Sequence, residues 1–76
     1  MKLNSVWLLW VTNEAEGIPY LDSLYDNVEN AIAEIKVICE DEGYINLIKK
    51  SDFCYIAIDE DNCNITFKIE GRIVRQ

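Results

Sequence analysis

Six consecutive apolar residues, Val6-Trp7-Leu8-Leu9-Trp10-Val11, limit the folds open to this chain more than any other feature. The run is far short of the roughly 20 residues that a membrane-crossing helix needs. It is rich in β-branched and aromatic side chains and ends at the polar stretch Thr12 to Gly17, so it predicts a β-strand. Successive side chains of a strand point to opposite faces, which puts Val6, Leu8 and Trp10 on one side and Trp7, Leu9 and Val11 on the other. Both sides are apolar. Such a strand is expected in the middle of a sheet that is covered on both faces. The leading residues Met1-Lys2-Leu3-Asn4-Ser5 give the run the outline of a signal peptide, but no small-residue cleavage motif follows, and the strand reading stands.

The next segments fill in a sheet and a helix. Ile18 to Tyr25 predicts a weaker second strand, which starts after Pro19 or lies at an edge, because proline donates no ladder hydrogen bond. Asp26 then reads as a helix N-cap, with Glu29 placed to complete a capping box. Val28, Ala31, Ile32, Ile35, Ile38 and Cys39 recur at i, i+3, i+4 spacing and form one apolar stripe. Glu29, Asn30, Glu34, Lys36, Glu40 and Asp41 take the opposite side, and Gly43 is a natural stop. Glu40-Asp41-Glu42 is unfavourable there, since it adds three negative charges to the negative end of the helix dipole. In Tyr44 to Lys50, Tyr44, Leu47 and Ile48 suit a short extra helical turn before a break at Ser51-Asp52. Phe53 to Ile58 predicts a strand, Asp59 to Asn62 a turn, and Asn64 to Glu70 a returning strand that the tail Gly71 to Gln76 extends.

The expected fold is therefore a single α+β domain over residues 1–76. Its two layers are an antiparallel sheet of about four strands, in the order β-β-α-β-β, and one main helix on one face. That layout leaves a question. The helix covers one face, yet the strand at Val6 to Val11 and the strand at Phe53 to Ile58 are apolar on both. Three candidates exist for the second cover: the Tyr44 to Lys50 segment, a second copy of the chain, or a partner.

Composition narrows the functions. Fourteen acidic and seven basic residues with no histidine give a net charge of −7 in 76 residues. A surface of that sign is repelled by nucleic acids and anionic membranes, so neither is expected as a direct ligand. The missing histidine removes the commonest general base and metal ligand. The three cysteines, Cys39, Cys54 and Cys63, are odd in number and contain no CxxC pair, which suits a reducing cytoplasm. Cys39 falls on the helix stripe and Cys54 in a strand, where thiols act as small hydrophobes, and Cys63 lies by the turn. No base stands ready to activate them or a serine, and no enzymatic role is expected.

Metal and phosphate sites fare no better. Asp59, Asp61 and Cys63, with Glu70 eleven residues after Asp59, mimic a calcium-loop register. However, a thiol replaces an oxygen ligand and Asn64 stands where the loop needs glycine. A solvated acidic turn is the better account. Three scattered cysteines do not make a zinc site, and no phosphate-cradling glycine loop occurs, so neither metal nor cofactor is expected.

The charge is unevenly spread. Residues 12–42 hold nine acids and one base, for −8; Asp59-Glu60-Asp61 adds −3; the remaining segments carry +4. One account is a solubilising surface. The other is an acidic face that docks on a basic groove of a partner protein.

The stretch Tyr20-Leu21-Asp22-Ser23-Leu24-Tyr25-Asp26, followed by Glu29, Ala31 and Ile32 and then by the hairpin from Phe53 to Glu70, resembles small acidic accessory proteins of phages and other mobile elements with a ββαββ layout. That group includes anti-CRISPR-like inhibitors of host defence, several of which are acidic and occupy nucleic-acid grooves. The resemblance implies a non-enzymatic protein of the host-cell cytoplasm that occludes a basic surface on a host protein. Glu14, Glu16, Asp22, Glu34, Glu40, Asp41, Glu42, Asp59, Glu60 and Asp61 would then stand in for phosphates, with Trp7, Trp10, Tyr20, Tyr44 and Tyr55 as candidate aromatic anchors. A second reading is a small-molecule-binding or sequestering protein with a pocket at a homodimer interface, lined by Trp7, Trp10 and Tyr55.

Overall fold

The computed structural model describes the backbone of residues 3–75 and the side chains of residues 5–73. Met1, Lys2 and Gln76, which belong to the leader-like start and the tail considered above, lie outside the described residues. Among the described residues the fold is α+β. The elements are β1 (Leu3–Asn13), β2 (Tyr20–Tyr25), α1 (Val28–Glu42), β3 (Ile45–Ser51), β4 (Cys54–Ile58) and β5 (Asn64–Arg75). The strands form one antiparallel sheet in the order β2-β1-β5-β4-β3.

The sheet has five strands where the sequence led us to expect about four. The additional strand is β3, made from the segment read as a helical turn. Asn46 adopts a left-handed φ of 57°, and the register shifts between Ile45 and Ile48. Ile45 and Ile48 lie three positions apart, yet they pair with Ile58 and Ile56, which are two apart. The extra residue of this bulge converts a period of two into a spacing that imitates a helix.

The helix is positioned by its ends. Asn27, extended at φ −147°, is the N-cap in place of Asp26, and its side-chain oxygen accepts from the Asn30 amide at 2.8 Å. Asp26 instead accepts from the side-chain amides of Asn27 and Asn30. At the other end Gly43 takes φ 76°, and the Tyr44 amide donates back to the Cys39 carbonyl at 2.9 Å. Pro19 falls just before β2, as its missing amide requires.

The core lies between α1 and one face of the sheet. Ala31, Ile35 and Cys39 from the helix meet Leu9 and Val11 of β1, Tyr55 and Ala57 of β4, and Ile65, Phe67 and Ile69 of β5, all buried. β1 is interior to the sheet, as expected, but it is not buried on both faces. Leu9 and Val11 are fully enclosed, whereas Val6, Leu8 and Trp10 on the opposite side are half-buried. β1 and β5 pair from Leu3↔Arg75 to Asn13↔Ile65, and past Val6 and Arg72 they run on without β2 or β4 as a two-stranded ribbon.

Candidate functional site

Two surfaces stand out, one polar and one apolar. The polar one forms at the end of the sheet where β1 finishes and β5 begins. The chain visits this end three times: in the loop from Glu14 to Pro19, at the C-terminus of α1, and in the hairpin from Asp59 to Cys63. Hydrogen bonds between residues far apart in sequence fasten the first to the start of β5, directly after the third. The Glu14 amide donates to the Asn64 carbonyl at 2.9 Å, and the Asn64 amide donates to the Glu14 carboxylate at 2.8 Å.

Side-chain electrostatics register the same convergence. Partial burial pushes the Tyr20 phenol up, and Asp22, Glu42 and Glu16 push it further. Tyr44 is raised by burial first, then by Glu42, Tyr20, Asp59 and Cys39. The Cys63 thiol is raised by lost hydration and then by Asp59, Glu14 and Asp61. Each group feels carboxylates from segments distant in sequence. A neutral phenol or thiol resists ionising next to fixed negative charge.

The ten acids singled out from the sequence do not all belong here. Glu14, Glu16, Asp22, Glu42, Asp59 and Asp61 gather around Tyr20, Tyr44 and Cys63, with Glu60 at the hairpin tip and Glu40 and Asp41 in the last helical turn. Glu34 is apart: it sits half-buried in mid-helix, where its charge acts on Tyr25. Two of the gathered acids also hold backbone. Glu14 caps the start of β5, and Asp59 accepts from the Asp61 and Cys63 amides, both at 2.9 Å. That duty ties down the hairpin, and nothing in the sequence separates it from surface charge. Among the described residues, no three His, Cys, Asp or Glu side chains are arranged to hold a metal ion.

The five aromatic candidates divide. Tyr20 is half exposed within the acidic cluster. Tyr44 is half-buried and leans on Phe67, with ring centroids 6.4 Å apart. Tyr55 belongs to the core at 9% exposure and offers no surface anchor, because its strand neighbours turn it toward the helix. Trp7 also lies on the helix side, stacked on Phe53 at 5.7 Å, whereas Trp10 is on the opposite face. The sheet therefore keeps Trp7 and Tyr55 apart from Trp10, and the three do not line one pocket.

The apolar surface is the sheet face away from the helix. Tyr44 to Lys50 does not cover it, since that segment extends the sheet as β3; among the described residues no element packs on it. Residues paired across a ladder share a face, so the register reads this face in rows. Leu24, Leu8 and Glu70 form one row; Leu21, Trp10, Lys68 and Cys54 form the next; Thr12, Thr66, Ile56 and Ile48 follow, and then Asn64, Ile58 and Ile45. Leu21, Leu24, Ile45 and Ile48 are exposed. The indole Nε1 of Trp10 donates to the Glu70 carboxylate at 3.2 Å, and Arg72 pairs with the same carboxylate at 3.2 Å. An open cleft of about 510 Å³ lies here between Pro19, Trp10, Lys68 and Cys54.

No family model matches this sequence, and no match to it was found among curated proteins or solved structures.

Proposed function

We propose that the protein is a non-enzymatic interaction protein that binds and occludes a basic surface on a larger protein, in the manner of a phage-type inhibitor of a host defence protein. The acidic end is the contact surface. The observation that supports this reading is the convergence of three chain segments with the start of β2, which brings Glu16, Asp22 and Glu42 beside the half-exposed Tyr20 and Glu14, Asp59 and Asp61 beside Cys63. The negative C-terminal end of α1 adds to the same field. Like charges gathered at one end are a cost to an isolated fold, and a basic partner recovers that cost on docking. Carboxylates ordered on a rigid edge present to such a groove the charge that phosphates would, with Tyr20 supplying the apolar contact that charge alone lacks.

The test is comparative capture. Wild type and the triple reversal E16K/E42K/D61K are immobilised and exposed to one host lysate at low and high salt. All three positions are exposed and hold no backbone group, so the variant keeps its fold, as circular dichroism verifies. A partner retained by wild type at low salt should be depleted at least about tenfold by the variant and by salt, and should be displaced by added duplex DNA. A partner held equally well by the variant at both salt concentrations sinks the proposal.

A further inference from the structure

We propose that the sheet face opposite α1 binds the same face of a second copy of this chain, with the two copies running antiparallel. Charge decides the occupant. The chain carries −7, and any two copies repel over most of their surface. The open face is the exception: the β1–β5 register places Lys68 and Arg72 on it against a single carboxylate of that ladder, Glu70. Around these groups lie Val6, Leu8, Trp10, Leu21 and Leu24, an apolar surface that the fold itself leaves uncovered.

The rows fix the arrangement. A two-fold axis between the sheets, perpendicular to the strands and crossing at Leu9 and Ile69, lays the row Leu24–Leu8–Glu70 over the row Leu21–Trp10–Lys68 of the second copy. Leucine then meets leucine, Leu8 meets the Trp10 ring, and the Glu70 carboxylate meets the Lys68 ammonium. The symmetry repeats each contact, so the surface is self-complementary, as a two-fold interface must be. The other face-to-face option, an axis parallel to β5, sets Lys68 against Lys68 and brings both acidic ends together. The antiparallel arrangement puts those ends at opposite extremes of the pair. Ile48, Ile56 and Ile58 lie past the overlap, toward the acidic end, and take no part.

The experiment is the molar mass of the full chain by sedimentation equilibrium over micromolar to millimolar concentration. Wild type is expected to rise from 8.8 kDa toward twice that value. K68E and E70K each place like charges across the axis, and each should raise the concentration needed for pairing at least about tenfold; K68E/E70K together restore the attraction and the mass. L24K should abolish pairing. I48K, outside the overlap, should leave it unchanged. Lys68, Leu24 and Ile48 are exposed, so K68E, L24K and I48K retain the fold; E70K and K68E/E70K give up the Trp10 hydrogen bond and the Arg72 pair, and their fold is verified by circular dichroism before their masses are compared. A wild type that stays monomeric throughout overturns the proposal, as does a dimer that I48K breaks and K68E does not. The acidic-end reading makes no demand on these masses, so either can fail alone.

Discussion

At the scale of single residues, Gly71 shows how one missing side chain admits an aromatic pair. It lies opposite Trp7 in the β1–β5 ladder, and a Cβ built there would come within 2.7 Å of the indole ring. Trp7 cannot simply swing away, because its ring stacks on Phe53 at an interplanar angle of 16°. Gly71→Ala is therefore expected to destabilise by about 1–3 kcal/mol, the usual cost of overpacking, although alanine alone would favour a strand. A lower urea midpoint with altered tryptophan fluorescence would confirm it; an unchanged midpoint would show that the stack yields freely. In the sequence Gly71 is only the start of a tail. Its role depends on a cross-strand neighbour far along the chain, which no local pattern reveals. Tyr55 is instructive in the same way: its chemistry suits an anchor, but its register makes it core.

At the scale of elements, legibility follows how local the determining physics is. The stripe from Val28 to Cys39, the stop at Gly43 and the β2 start after Pro19 depend on near neighbours, and each was readable. β3 was not, since the left-handed Asn46 broke the alternation that identifies a strand. The helix start failed by one position because Asp26 and Asn27 are both good caps, and only the backbone turn selects between them. The distinction is measurable. Asn27→Ala should cost about 1 kcal/mol in thermal or urea unfolding, as loss of a cap does. Asp26→Ala, which removes two exposed 3.3 Å side-chain contacts, should cost under about half as much. Equal costs would show that the two residues share the cap. For the acidic end, the acids themselves were visible in the sequence, but their assembly needed the sheet order.

At the scale of the whole molecule, the crowding of negative charge and the partial burial of neutral acids make stability fall on the alkaline side. Burial raises the Cys39 thiol, and burial with neighbouring carboxylates raises the Tyr20 and Tyr44 phenols. The native chain thus holds protons that the unfolded chain releases from 9.0 upward for cysteine and 10.0 upward for tyrosine. That contribution is complete below those values and is lost as pH rises through them. The urea midpoint should be level near neutrality and drop above about pH 9, with a smaller drop in Tyr20→Phe/Tyr44→Phe; a midpoint flat to pH 11 would contradict this. The sheet order bears on biosynthesis too. Its inner pair joins β1 to β5, and Glu14 closes onto Asn64, fifty positions later. At roughly 5–20 residues per second, a ribosome needs several seconds to make the intervening chain. During that interval β1, with its two tryptophans, has only the β2 side available for pairing. The nascent chain carries an unfinished sheet until β5 emerges, and the apolar run from Val6 to Val11 keeps its β5 side unpaired for that interval.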